Sequence, residues 1–391
     1  MVSARVAITG IGAYTCAGRS ASELWDHALR GASGIRDGVG RIEMDVAGEE
    51  TANTARTTCF AANAAREAMK SAGWNGFGSN DGLIFATTTG RIPAWELPLV
   101  AHLRGEMDRE RFAEVFRSQP LGSALDALKE ELGFFGRTLL VSSACSAATQ
   151  ALALGAMWIR QGRAKRVLVI GAEVLCNLTL AGFASLQLLA KEGARPFDRD
   201  RGGINLSEGA GAICLESEPA RAALALLSGY GLSTDGYHMT SPHPEGQGSF
   251  QAMRQALATA GLRPDEISWV HAHGTGSKHN DSAEGAALAH LFAEVPTAPY
   301  VTSTKRVHGH ALGASGAIET VICVEAIRRG IVLPTAGLRT PDAAIRVRHA
   351  TAPIETPVRH VLKNTLGFGG TNASLVFSDS GSGVFSAEER A

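Results

Sequence analysis

Short apolar runs alternate along the chain with longer stretches in which apolar and polar residues recur at helical spacing. Arg5–Gly12 (RVAITGIG), Gly82–Thr88 (GLIFATT), Thr138–Ser142 (TLLVS) and Arg166–Ala172 (RVLVIGA) read as buried strands. Runs that are apolar throughout, rather than alternating, suit strands covered on both faces. Between them Thr57–Ala72 reads as an amphipathic helix and Ala144–Gly162 as an alanine-rich one. The plan then repeats. Ala223–Gly231 is strand-like, Ser249–Ala260 helical with Gly261 as its stop, and Ile267–His271 a strand. A loop (HGTGSKHNDSAEG) leads to a helix from Ser282, the Tyr300–Ser303 strand, the Gly313–Arg328 helix and a closing pair, Val361–Leu366 and Ala373–Phe377. This rhythm predicts an α/β protein with helix-covered sheets, built as a duplication. Residues 1–224 and 225–377 are the expected halves, and residues 378–391 (SDSGSGVFSAEERA) a polar tail.

At 391 residues the chain suffices for one large or two medium domains. A formal net charge of −1 argues against bulk electrostatic binding of nucleic acid or membrane. No apolar run has the length of a membrane span, and the N-terminus leads straight into a strand, so a cytoplasmic protein is expected. The six cysteines form no C-x-x-C pair, which suits a reducing compartment and points to neither a disulfide framework nor a zinc site.

Four segments carry candidate chemistry. In VSSACSAATQALALG a strand runs into Cys145 and a helix follows. Unpaired N–H groups at a helix start would lower the thiol's pKa and hold an oxyanion. Alone, this fits a buried structural cysteine as well as a nucleophile. In WVHAHGTGSKHNDSAEG, His273 stands at a strand exit, with the Thr275 and Ser277 hydroxyls in a glycine-rich loop. His271 alternates with it, and His279 reads as a loop residue. No set of ligands at zinc spacing is visible. In TSTKRVHGHALGASGAIET, Lys305, His308 and His310 lie between a strand and a helix, and Lys305 with Glu319 could equally be a structural ion pair. In KNTLGFGGTN, glycines bracket Phe368, with Gly369 beside it: either a plain turn or an aromatic gate with a backbone N–H for an oxyanion. The G-x-G of VAITGIGAYT lacks the third glycine of a dinucleotide-binding turn and reads as a tight strand exit.

Together these segments resemble the elongating β-ketoacyl-acyl-carrier-protein synthases of the thiolase superfamily. ACSAA, HGTGS, STK with GH, GFGGTN and RPFDRDRGGINLSEGAGA (Arg195–Ala212) occur in the family's order, across nearly the whole chain. The resemblance implies a thiolase fold of two βαβαβαββ halves in five α-β-α-β-α layers. It implies Cys145 as nucleophile and His273 and His310 as hydrogen-bond donors to the thioester oxygen. Lys305 and Glu319 would set the electrostatics, and Thr275 and Ser277 would lie along the pantetheine arm. The amides of Cys145 and Phe368 would form the oxyanion hole, with Phe368 and Gly369 as gate. No cofactor or catalytic metal is implied. The implied partners are an acyl carrier protein and a second subunit, either a copy of this chain or a related chain-length factor, in fatty-acid or specialised polyketide or polyene synthesis. A non-catalytic partner subunit and a thioester hydrolase are the competing readings. Many relatives carry a structural cation, ligated at positions that match His271 and Lys363 here. Those residues imply that the Lys363 ammonium replaces it. The segment Thr88–Phe116 also departs from the fatty-acid enzymes, and the basic docking patch that an acidic carrier protein calls for is expected at Lys191 and Arg195, which could equally be ordinary solvated charges.

Overall fold

The computed structural model describes residues 5–43, 49–217, 219 and 222–381. Its main strands are β1 (Ala7–Thr15), β2 (Asp81–Ala86), β3 (Arg137–Val141), β4 (Arg166–Glu173), β5 (Gly209–Glu216), β6 (Ala225–Thr234), β7 (Trp269–His271), β8 (Tyr300–Thr302), β9 (His360–Gly367) and β10 (Thr371–Ser378). The helices are α1 (Ala21–Arg30), α2 (Glu49–Ala72), α3 (Ile92–Leu103), α4 (Arg109–Phe116), α5 (Gly122–Leu132), α6 (Ala147–Arg160), α7 (Asn177–Ser185), α8 (Gln247–Ala260), α9 (Lys278–Leu291), α10 (Lys305–His308) and α11 (Ser315–Arg329).

The first five strands lie in the order β3-β2-β4-β5-β1, and the next five in the order β8-β7-β9-β10-β6. In each set the first-to-fifth and fifth-to-fourth pairs are antiparallel, and the fourth-to-second and second-to-third pairs are parallel. The two sets are therefore one topology used twice. They meet edge to edge, where Ala7 and Ile8 pair with Leu226 and Ala225.

Helix α2 covers the outer face of the first set, α8 and α9 that of the second, and α6 and α11 pack between the two. This is the five-layered arrangement. It depends on small residues at the crossings. A Cβ on Gly316 of α11 would run into Thr149 of α6, and one on Gly211 would meet the α11 backbone. The G-x-G of β1 has the same purpose. Gly10 and Gly12 lie mid-strand, and a side chain at either would collide with the α2 backbone at Ala68 or Ala64. The expected strand exit is thus a close helix-on-strand crossing.

Three other expectations change. Helix α9 begins at Lys278, not Ser282, so His279 is helical rather than in a loop. The glycine-rich stretch before Glu216 is strand β5, which its GAGAICLE sequence disguises. Ser378 closes β10 instead of opening a tail, and residues 382–391 of the expected tail lie outside the described residues. The divergent segment Thr88–Phe116 contains α3 and α4, and Leu97, Val100 and Leu103 of α3 are exposed. Among the described residues no helix is long and apolar enough to cross a membrane.

Candidate active site

The duplication brings the chemistry together. Cys145 and His310 occupy corresponding places, each in the crossover from third to fourth strand and ahead of a central helix, α6 or α11. Ala144 has φ of +48°, a left-handed conformation that costs a non-glycine residue about 1 kcal/mol or more. The Thr88 hydroxyl holds the Ala144 carbonyl at 3.2 Å. From this kink Cys145 presents Sγ to His310 Nε2 at 3.0 Å. His273, just beyond β7, sets its ring at 81° to that of His310, with centroids 5.2 Å apart.

A pocket opens onto these three residues. Phe183, Leu188, Ile204 and Phe368 are among its apolar walls; Thr275, Ser277, His279 and Asn280 bring polar groups. Phe368 stacks on Phe183 with centroids 5.4 Å apart. Thr275 and Ser277 hydroxyls meet at 3.0 Å. Gly369, at φ +77°, donates its N–H to Met239 O at 2.8 Å. That amide is engaged and is not free to meet an oxyanion, and the positive φ is one that glycine adopts without strain.

Behind the histidines lies a closed ionic cluster. Glu319 pairs with both Lys305 and Lys363, the latter at 2.8 Å. The second contact is ionic only, since Glu319 Oε2 takes no directed hydrogen bond. Lys305 Nζ also donates to His273 O at 3.1 Å and faces His273 Nδ1 at 3.5 Å. Burial alone would raise the Glu319 carboxyl, but the two ammonium groups hold it well below the usual range. The Thr304 hydroxyl bridges Nε2 of His271 and Nε2 of His308, each at 3.0 Å. Glu284 accepts from the amides of His273 and Gly274, both at 2.8 Å, and fixes the loop. Burial pushes Glu284 up to about 7 against those bonds.

Burial, reinforced by the Lys305 charge, holds His273 and His310 well below the usual imidazole range, so both are neutral at pH 7. For Cys145 one expectation is overturned. Burial pushes its thiol up to about 12, against the pull of the Lys305 charge and the Phe368 amide, while the Glu173 carboxylate adds to the rise. In so dry a pocket the helix start does not win, and the resting group is the thiol. The donor atoms of Cys145, His273 and His310 all lie within 4.8 Å of one another, a convergence that spacing could not disclose because it comes from three segments.

The structure brings Cys145, His273, His310, Thr275, Ser277 and Phe368 to one pocket, with Lys305 and Glu319 behind the histidines and Gly369 next to Phe368. Sequence reasoning missed Ser315, the lone hydroxyl of the GHALGASG run, whose Oγ meets His310 Nδ1 at 2.9 Å. It also missed Phe183 and the loop anchor Glu284. Arg195, one of the two expected docking cations, is paired with Glu192 at 2.9 Å.

Comparison with known proteins places this architecture. The chain is 34% identical to Nodulation protein E of Rhizobium meliloti (strain 1021), covering 95% of this chain and 98% of that one. It is 32% identical, at the same coverage, to 3-oxoacyl-[acyl-carrier-protein] synthase 2 of Staphylococcus aureus (strain COL). The solved ishigamide ketosynthase/chain length factor superposes with a TM-score of 0.87 at 29% identity, over 97% of this chain and 100% of that one. Residues 43–220 match the "Beta-ketoacyl synthase, N-terminal domain" and residues 224–339 the "Beta-ketoacyl synthase, C-terminal domain", and the chain belongs to the β-ketoacyl synthase family.

Proposed function

We propose that the protein condenses an acyl group held on Cys145 with a malonyl group on an acyl carrier protein, releasing CO2 and a β-ketoacyl-carrier product. The observation that carries this is the meeting of the Cys145 thiol, neutral His310 and neutral His273 in one largely apolar pocket.

In the first half-reaction the Cys145 thiol attacks an acyl thioester. Its proton leaves through His310, and the pantetheine thiolate departs and is protonated. The Cys145 and Phe368 amides face the carbonyl oxygen as it becomes an oxyanion. In the second, malonyl-carrier protein enters past Thr275 and Ser277. Loss of CO2 moves the carboxylate's bonding electrons onto the thioester enolate, whose oxygen meets imidazole N–H. The enolate carbon attacks the acyl-Cys145 carbonyl, and Cys145 leaves as thiolate and takes up a proton. Lys305 and Glu319 hold the histidines and their field. Phe368, on its glycine hinge, admits the chain. The chemistry calls for no redox cofactor or catalytic metal.

The test is intact-protein mass spectrometry with a panel of acyl-carrier proteins, followed by malonyl-carrier protein. An acyl adduct converted to a β-ketoacyl product is expected, and its preferred chain identifies the pathway, fatty-acid or specialised polyketide or polyene. If no donor loads, alone or with a candidate partner subunit, the reading fails.

The second subunit follows from the same family. β3 is an open sheet edge, preceded in the chain by the exposed Phe135, which supports pairing with a copy or with a chain-length factor. The ishigamide neighbour, a ketosynthase/chain length factor, favours keeping the heterodimer as a second reading. We infer a cytoplasmic site of action, consistent with six unpaired cysteines, and two structural halves meeting near residue 224.

The family's structural cation does not fit here. Its ligand positions hold His271 and Lys363, and a cation would face the Lys363 ammonium, which already neutralises Glu319 and meets Asn364 O at 3.2 Å. Lys363 therefore supplies that charge covalently. Lys363→Met is expected to lower stability by about 3 kcal/mol, read by chemical denaturation. A refined map with a cation bonded to Glu319 near Asn364 would overturn the assignment.

A further inference from the structure

Two buried histidines take no part in the proposed condensation. His271 and His308 do not line the pocket, yet each stands two residues ahead of a histidine that does, His273 or His310. Their rings converge on one side chain. The Thr304 hydroxyl lies 3.0 Å from Nε2 of His271 and 3.0 Å from Nε2 of His308, and all three residues are fully buried. Nδ1 of each ring has no hydrogen-bond partner among the described residues, so the hydroxyl is the polar anchor of both. A hydroxyl has one proton to give and lone pairs to receive. Satisfying both rings takes donation to one Nε2 and acceptance from the N–H of the other, and the bridge is complete whichever ring has the proton. Burial keeps both rings uncharged, so the bridge adds no charge beside Lys305, Lys363 and Glu319.

The bridge spans a gap that the backbone leaves open. Strands β7 and β8 stay paired as far as the Ala272 N–H, which donates to Thr302 O at 2.9 Å. His273 and the turn carrying His310 lie beyond that bond. Backbone bonds tie the turn to Asn205 and Ser207 instead, at 2.7 and 3.0 Å. The His273 loop and the segment leading to His310 meet through side chains: Ser303 Oγ donates to Gly274 O at 2.7 Å, Lys305 Nζ to His273 O at 3.1 Å, and Thr304 holds His271. Of these, Thr304 alone also reaches His308, at the far end of α10. That helix is a single turn, too short to fix its own position. We propose that Thr304 is a positioning residue: by joining His271 to His308 it sets the separation and angle of the His273 and His310 rings, 5.2 Å and 81°.

The test compares Thr304→Val, which keeps the shape and removes the hydroxyl, with Thr304→Ser, which keeps the hydroxyl. In crystals of Thr304→Val the ring separation is expected to change by roughly 1 Å, a displacement that typically costs about 10^2-fold in rate. Its kcat for condensation should fall roughly 10- to 100-fold, with KM for malonyl-carrier protein within about twofold, because Thr275 and Ser277 stay at the entry. Thr304→Ser should restore both the separation and kcat. A support of the fold alone would lower melting but leave ring geometry and kcat unchanged well below the melting temperature. That result in Thr304→Val overturns the proposal, as does a loss that Thr304→Ser fails to restore. His308→Gln and His308→Leu approach the bridge from its other end. A glutamine amide can meet the hydroxyl and leucine cannot, so leucine alone should reproduce the valine result, and equal effects overturn the proposal. Failure of both Thr304→Val and His308→Leu to fold overturns it too, because the bridge would then be a support of the fold. The inference rests on the proposed function only for its kinetic readout. A shifted ring separation in Thr304→Val, with no condensation by the unmodified protein, supports the positioning role and counts against the proposed function alone.

Discussion

Cys145→Ala is expected to abolish acyl loading and to lower condensation by at least roughly 10^4-fold, while leaving CO2 release from malonyl-carrier protein measurable. The two effects separate because the groups do. Cys145 is the one thiol lining the pocket. The other five free cysteines lie outside it, and burial raises each of their thiols. Losing a covalent nucleophile typically costs about 10^6 in turnover, and what survives comes from groups left in place. Those groups here are His273 with Lys305 behind it and the amide of Phe368. None of them needs the Cys145 sulfur to keep its position, since Glu284 and Lys305 fix His273 through its own backbone. Alanine removes a single sulfur from a wall that also contains Leu175, Ile204 and Leu206, so folding should be unaffected. The readout is twofold: intact mass after incubation with acyl-carrier protein, and CO2 release with malonyl-carrier protein. An acyl adduct on the variant would place the nucleophile elsewhere. Simultaneous loss of decarboxylation would mean that the sulfur, not the imidazole, stabilises the enolate.

What the chain discloses before folding differs by feature, for physical reasons. Buried parallel strands such as Gly82–Thr88 announce themselves because both faces must be apolar. β5 escapes because its partner is the α11 backbone, which demands glycine and alanine and so erases the pattern. Cys145 and both histidines are legible through small residues beside them, which the tight crossover turns require. The thiol's protonation is not legible. A helix start predicts a lowered pKa, but the degree of burial that overrides it depends on walls from Ile204, Leu312 and Phe368, distant in the chain. Nor is the contact between Ser315 and His310 legible, because Ser315 reads as one more small residue until its hydroxyl is placed against Nδ1.

The second large effect is on stability against acid. His271, His273, His308 and His310 are all buried and neutral, with burial lowering His271 to about 3 and His308 to about 4 and holding the other two well below the usual range. In the unfolded chain each binds a proton below about pH 6.5. The unfolded state therefore carries more protons in this window, and stability falls as pH falls through it. Glu284 acts in the opposite sense. Its folded value of about 7 lies above the unfolded one, so it lends stability as pH falls from 7 toward 4.5 and offsets one histidine. Glu319, held low by its two lysines, adds to the acid loss only below about pH 4.5. Burial also raises Glu67, Glu173 and Asp281, which act with Glu284, and lowers His349 and His360, which act with the four histidines, so the slope comes from the histidines left uncompensated, each worth about 1.4 kcal/mol per pH unit between pH 6 and 5. Folded proteins hold about 5–15 kcal/mol in total, so a measurable loss of stability is expected between pH 6.5 and 5.5. Denaturant titrations at pH 7.5, 6 and 5.5 measure the slope directly. His308→Gln, outside the reacting pair, should reduce it by about one proton, or roughly 1.4 kcal/mol per unit. A flat midpoint across that range would mean the histidines are not neutral in the fold. The proposed passage of the Cys145 proton to His310 would then fall as well, because an imidazolium has no lone pair to offer.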